Sequence, residues 1–92
     1  MPTLRIPTPL RTYADGQTEV SLQGSTVREV MDGLVTRYPT LRPHLFNGDG
    51  QLRPFVNLFL NDSNIRDLQG MDTPLKESDR LMLIPSIAGG RE

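Results

Sequence analysis

Cysteine is absent from the 92 residues of this chain. Its absence excludes disulfide bonds, thiolate nucleophiles and thiolate metal ligands. A long apolar run is also lacking: no stretch approaches the length of a membrane-spanning helix, and residues 1–7 have no continuous apolar segment of the kind found in secretion signals. We therefore expect a cytoplasmic protein that does not bind a membrane.

An excess of charge of one sign is lacking too. Ten basic and eleven acidic side chains give a formal net charge of −1, so no strong field attracts the chain to nucleic acid. The arginines are scattered and are not interleaved with aromatic residues, as they would be on a nucleic-acid surface. We expect no nucleic-acid partner and assign no site to Arg5, Arg11, Arg28, Arg37, Arg42 and Arg53.

Candidate metal ligands and acid-base groups are few. His44 is the only histidine, and without Cys, Asp or Glu at ligand spacing we expect it to be a loop residue. Asp72, Glu77 and Asp79 fall in a turn region and are typical of solvated surface. The chain is also too short for two domains or a large enclosed catalytic cleft. We expect one domain and no metal site.

The first part of the chain contains two alternating segments, around Leu4 and Val20, separated by an Asp15-Gly16 turn. Alternation of apolar and polar residues is typical of half-buried strands. Pro7 predicts that the first strand ends there and that the connection is longer than a two-residue hairpin. The pattern predicts an antiparallel pair.

A helix is predicted to follow. Thr26 and Glu29 have the spacing of a capping box, and Pro39 marks the end of the pattern. The apolar residues between them recur at helical spacing and share one face, which must cover a sheet. They are Val27, Val30, Met31, Leu34, Val35 and Tyr38.

The remaining segments complete the order strand, strand, helix, strand, short piece, strand. We expect a short helical turn over 41–46, a mobile loop over 47–50, strands over 55–60 and 81–84, and an irregular piece over 65–68. This order is typical of the β-grasp (ubiquitin-like) fold of the α+β class, with a mixed sheet of four to five strands on one main helix. The prediction is a β-grasp domain over 1–88 and a flexible C-terminal tail over 89–92, since two glycines have no side chain to pack.

Three groups of residues carry a resemblance to a known family. They are Ile6-Pro7-Thr8 with Leu10-Arg11, Phe55-Val56-Asn57 with Asn61-Asp62, and Ile84-Pro85 with Ala88-Gly89-Gly90. In this order and spacing the chain resembles the ThiS/MoaD family of ubiquitin-like sulfur carriers, and within it the cysteine-forming CysO type. The resemblance extends over nearly the whole chain. It implies that the chain donates sulfur in the biosynthesis of cysteine or a thio-metabolite.

This resemblance implies chemistry at the C-terminus. The Gly90 carboxyl would be adenylated by a ubiquitin-activating-type enzyme that uses ATP, and then converted to a thiocarboxylate for a sulfur-accepting synthase. Gly89 would keep the tail narrow enough for the activating enzyme, with Ile87 and Ala88 in contact with the partner. The carrier would be a co-substrate without a bound cofactor, and not an enzyme.

The chain departs from the family pattern after Gly90, because active carriers of the family end at the second glycine. Arg91 and Glu92 would have to be removed before Gly90 has a free carboxylate. A zinc metalloprotease that cleaves after Gly90 is the protease that the resemblance implies.

The strand pattern also predicts a docking patch. Because Asn57 is not expected to be buried without partners, its strand neighbours face the core and Phe59 faces outward. The same alternation places Met82 and Ile84 outward on the last strand, which neighbours this one in a β-grasp sheet. The three side chains would form an exposed apolar cluster beside the tail, unless the loop after the helix covers them or a β-bulge shifts the phase. The residues expected in the core are Val56, Leu58, Leu60, Leu81 and Leu83.

Two other functions fit the same sequence. A ubiquitin-like modifier would use the same tail and activation to join Gly90 to lysines of other proteins. A non-catalytic β-grasp interaction module would not use its C-terminus chemically, and residues after Gly90 favour that alternative.

Overall fold

A mixed sheet runs through the computed structural model, which describes residues 1–54 and 56–85. The described residues form five strands in the order β2-β1-β5-β3-β4. β1 and β5 are parallel, and the other neighbouring pairs are antiparallel. The strands are β1 (Thr3–Arg5), β2 (Glu19–Ser21), β3 (Val56–Leu60), β4 (Ser63–Asn64) and β5 (Arg80–Pro85).

Helix α1 (Val27–Arg37) packs on one face of this sheet, and a short helix α2 (Arg42–Leu45) follows it. The other described helical segments are 3₁₀ turns at Thr8–Ala14, Pro39–Leu41, Ile65–Asp67 and Gly70–Asp72. This arrangement is the predicted β-grasp fold. No helix in the described part of the chain is long and apolar enough to span a membrane.

The start of α1 follows from its capping residues. The Glu29 amide donates to Thr26 Oγ1 at 3.3 Å, as a capping box requires. The Glu29 carboxylate accepts from the amide of Ser25 at 2.8 Å, one residue earlier than the predicted partner. The helix ends at Arg37, where the Tyr38 amide donates to the Leu34 carbonyl. All six predicted apolar residues of the helix are buried.

The core lies between α1 and the sheet. Alternate residues of the two central strands enter it, and Leu81 and Leu83 are each only 1% exposed. Val56 and Leu58 are buried as predicted, while Leu60 is partly buried and packs against the same cluster. Burial of each such leucine contributes about 1.5–3 kcal/mol from the hydrophobic effect. The sheet is therefore held to α1 by the inward residues of β1, β2, β3 and β5.

The structure refines several predicted boundaries. β1 ends at Arg5, and the long connection after it contains the 3₁₀ turn at Thr8–Ala14. The predicted turn is present, with φ of 55° at Asp15 and 77° at Gly16. The Asn47 side-chain oxygen accepts from the amides of Asp49 and Gln51, but mobility of this loop stays a prediction. The proposed boundary at 88 and the tail at 89–92 lie outside the described residues.

Candidate functional site

The sheet face opposite α1 carries the predicted apolar cluster. Met82 on β5 is paired with Phe59 on β3, and Ile84 is paired with Asn57. Side chains that are paired across antiparallel strands lie on the same face of the sheet. Met82 is 42% exposed and Ile84 is 39% exposed, while Phe59 is half-buried. We call Phe59, Met82 and Ile84 the open-face patch.

Neither of the two features that could have hidden this patch, a β-bulge or a covering loop after α1, is found in the described residues. The β3–β5 pairing runs without a shift from Val56 opposite Pro85 to Leu60 opposite Leu81, so no β-bulge changes its phase. The exposure of Met82 and Ile84 shows that the loop after α1 does not cover them. The predicted phase of both strands is confirmed.

Charged residues border the patch on the β1 side. Parallel pairing places Arg5 opposite Met82. The Arg5 guanidinium lies 3.9 Å from the Glu19 carboxylate, and both side chains are about half exposed. A pair so exposed contributes roughly 0–1 kcal/mol to stability. The patch is therefore an apolar surface with a polar rim, as docking surfaces often are.

The last described strand ends beside this patch, because β5 ends at Pro85, the residue after Ile84. The predicted site residues of the tail lie outside the described residues. These are Ile87, Ala88, Gly89, Gly90, Arg91 and Glu92. No geometry is assigned to them.

A groove next to the patch brings together arginines for which no site was predicted. It has a volume of about 730 Å³ and lies between the 3₁₀ turn at Thr8–Ala14, α2 and the end of β5. Arg5, Arg11 and Arg53 line it, together with Met82 and Ile84 of the open-face patch. We call it the arginine groove. These arginines are 6 and 42 residues apart in sequence, so only the fold reveals that they are neighbours.

His44 belongs to the wall of the same groove. Its ring stacks on that of Tyr13 with 4.1 Å between centroids. It is thus a packing residue at the end of α2. In residues 1–54 and 56–85, no group of three or more His, Cys, Asp or Glu is arranged to hold a metal ion.

The strand order, the covering helix and the open face of the sheet define a ubiquitin-like β-grasp protein. Residues 4–90 match the ThiS family. The sulfur carrier protein CysO of Mycobacterium tuberculosis is 34% identical over 90 residues, which cover 96% of this chain and 97% of that protein. The chain belongs to the ThiS family.

Solved structures agree with this assignment. A chain of the Amycolatopsis orientalis BexX/CysO complex superposes with a TM-score of 0.88 at 33% identity, covering 98% of this chain and 100% of that one. The small archaeal modifier protein SAMP1 of Methanosarcina acetivorans gives a TM-score of 0.87 at 32% identity, covering 97% and 95%. The predicted family, fold and sulfur carrier role are supported. The family match ends at Gly90, before Arg91 and Glu92.

Proposed function

We propose that this protein carries sulfur as a thiocarboxylate on Gly90 and donates it in the biosynthesis of cysteine or another small thio-metabolite in the cytoplasm. The observation that carries the proposal is the position at which β5 ends. The family match extends to Gly90, and β5 ends at Pro85, next to Ile84 of the open-face patch. A partner that docks on the patch can therefore reach the carboxyl, because the six residues that follow Ile84, up to Gly90, span at most about 22 Å.

The first step is activation by an adenylating enzyme of the ubiquitin-activating type. An oxygen of the Gly90 carboxylate attacks the α-phosphorus of ATP, and pyrophosphate leaves. The product is an acyl adenylate, in which the carboxyl carbon is open to nucleophiles. The carrier supplies this carbon, and its docking surface holds it in position.

Sulfur enters in the second step. A sulfide donor attacks the acyl carbon, the C–S bond forms, and AMP leaves with the electrons of the C–O bond. The thiocarboxylate is a soft nucleophile that attacks an electrophilic acceptor in the synthase. Hydrolysis of the acyl–sulfur bond would return Gly90 to a carboxylate. The carrier is consumed and regenerated as a co-substrate, and it catalyses no step alone.

Docking is assigned to the open-face patch, with Ile87 and Ala88 continuing the contact along the tail. Apolar side chains without a covering element favour binding to a partner's apolar surface. Gly89 and Gly90 suit a narrow channel because neither has a side chain that would obstruct it. The same surface would serve the activating enzyme and the synthase in turn.

Residues after Gly90 require a processing step. While Arg91 is attached, the Gly90 carbonyl is an amide and has no carboxylate oxygen with which to attack ATP. We propose that a peptidase, a zinc metalloprotease by resemblance, removes Arg91 and Glu92. Hydrolysis of the Gly90–Arg91 bond adds one water molecule and produces the reactive carboxylate.

Intact-mass spectrometry tests this function. Two versions of the chain, one ending at Glu92 and one at Gly90, are incubated with the activating enzyme, ATP and sulfide. The version ending at Gly90 should gain the mass difference of one oxygen replaced by sulfur, and the longer version should not change. No gain in either version would contradict the sulfur carrier function. Equal gains with Arg91 and Glu92 still attached would exclude processing.

The similarity to SAMP1 favours a second candidate, a protein modifier joined through Gly90 to lysines. Its test is proteomic: a tagged chain is expressed in its host, and lysates are searched for isopeptide-linked adducts. Adducts that disappear when Gly90 is deleted would favour the modifier. An interaction module would instead keep its function after deletion of all residues beyond Ala88.

A further inference from the structure

The arginine groove has an unbalanced charge. Arg5, Arg11 and Arg53 line it, and no acidic side chain is among the described residues that do so. Arg5 pairs with Glu19, which lies outside the groove lining, while Arg11 and Arg53 have no acidic partner among the described residues. The groove is therefore a local positive region on a protein with a net charge of −1. Such a region attracts an anionic ligand even when the whole protein is nearly neutral.

Two of these guanidinium groups are oriented without being neutralised. Arg11 donates from Nε to the Ile6 carbonyl at 2.9 Å, and Arg53 donates from Nε to the Pro43 carbonyl at 2.8 Å. Neither forms an ion pair with an acidic residue in the described part of the chain. Each main-chain contact fixes the arginine and leaves its terminal Nη groups to bind a carboxylate.

The wall of the groove is already formed in the free protein. Stacking of Tyr13 on His44 joins the 3₁₀ turn at Thr8–Ala14 to α2. Thr40 Oγ1 donates to the Tyr13 carbonyl at 3.1 Å, and the Arg53 amide donates to the Leu45 carbonyl at 2.8 Å. A ligand therefore binds without first ordering these segments, which lowers the entropic cost of binding.

The residues that line the groove favour a ligand that is both anionic and apolar. Pro9, Met82 and Ile84 provide exposed apolar surface in the same groove. An inorganic anion would use the charges alone, whereas a peptide with carboxylates next to apolar side chains would use both. The groove is also continuous with the open-face patch through Met82 and Ile84. A protein that covers the patch would place its adjoining segment here.

We propose that the arginine groove binds an acidic segment of the partner protein, one in which carboxylates alternate with apolar side chains. The proposal rests on the proposed function in one respect: the partner is taken to be the protein that acts on the tail. Carboxylates would pair with Arg11 and Arg53, and apolar side chains would pack on Pro9 and Ile84. The groove would thereby fix the orientation of the partner relative to Gly90.

A peptide titration tests the groove without any tail chemistry. The probe is a capped peptide of alternating leucine and glutamate, added to ¹⁵N-labelled protein ending at Gly90 and followed by NMR at low salt. We expect shift changes at the Arg11 and Arg53 Nε–H signals and at the Leu83 amide. The same peptide with glutamine in place of glutamate should bind at least about tenfold more weakly. Equal binding of both peptides would overturn the proposal.

Matched variants make the test specific. Arg53→Gln removes one groove charge, and Arg37→Gln removes one exposed charge on α1, outside the groove. Arg53→Gln should weaken binding of the probe peptide about tenfold, Arg53→Lys should weaken it less, and Arg37→Gln should leave it unchanged. Circular dichroism should show that all three variants are folded. Equal binding by the Arg53→Gln and Arg37→Gln proteins would overturn the proposal.

The activating enzyme provides a second, separate readout. Its affinity for the chain ending at Gly90 should fall about tenfold in Arg53→Gln and lose part of its dependence on salt concentration. Unchanged affinity would contradict the groove as a docking site for this partner. Failure of the sulfur carrier function is distinguishable, because it appears as no thiocarboxylate on the wild-type chain while the peptide still binds the groove.

Discussion

The two faces of strand β5 differ in burial, although residues 81–84, which alternate between them, are all apolar. Leu81 and Leu83 point toward α1 and are 1% exposed, whereas Met82 and Ile84 are 42% and 39% exposed. All four are large apolar residues, so composition does not distinguish them. The difference shows that one strand both contributes to the core and exposes an apolar surface. Substitutions one residue apart should therefore affect different properties.

The largest effect on stability is expected for Leu83→Ala, because it opens a cavity in the core. We expect the free energy of unfolding to fall by about 3 kcal/mol, measured by urea denaturation. Its matched control is Ile84→Ala on the open face, which should change stability by less than about 1 kcal/mol. Similar losses in the two proteins would mean that the faces of β5 are equally buried.

An intermediate effect is expected at the start of α1, the element that covers the inner face. Thr26→Ala removes the side-chain oxygen that accepts from the Glu29 amide and should lower the free energy of unfolding by about 1 kcal/mol. Thr36→Ala is the control, since Thr36 is exposed on the same helix. It should leave stability unchanged or slightly raised. A Thr26→Ala protein as stable as wild type would show that this cap contributes nothing.

The smallest effect on stability, with the largest effect on binding, is expected on the open face. Phe59→Asp should abolish the complex with the activating enzyme, because it places a charge within the apolar patch. The domain should stay folded, since Phe59 is half-buried on the face opposite α1. Binding is measured by calorimetry and folding by circular dichroism.

Thr36→Asp controls for the added charge and should bind normally. Unchanged binding of the Phe59→Asp protein would exclude the patch as the docking surface. A loss of several kcal/mol in stability would instead place Phe59 in the core.

Elements fixed by local sequence were predicted well. The residues of α1 carry their own signals: Thr26 and Glu29 at the start, a helical apolar spacing within it and Pro39 after its end. Alternation alone placed Leu83 inward and Ile84 outward. Each of these signals involves residues that are close together in the chain, so it can be read from the sequence alone.

Features fixed by distant contacts were missed. The 3₁₀ turn at Thr8–Ala14 is held by contacts of Tyr13 with Thr40 and His44, about 30 residues later in the chain. The arginine groove depends on the same contacts and on main-chain carbonyls that orient Arg11 and Arg53. Arginines separated so widely look scattered in a sequence. Only the folded chain shows that no acidic residue in 1–54 or 56–85 pairs with Arg11 or Arg53.

The most direct test of the division between the two faces is a methyl NMR titration of the domain with its activating enzyme. The Met82 Cε and Ile84 Cδ1 methyl signals should shift or broaden first, because their side chains lie on the docking face. The Met31 Cε methyl is buried on the inner side of α1 and should change little. Changes confined to Met31 and to the Cγ2 methyl of Thr36, which is exposed on α1, with Met82 and Ile84 unaffected, would contradict this account.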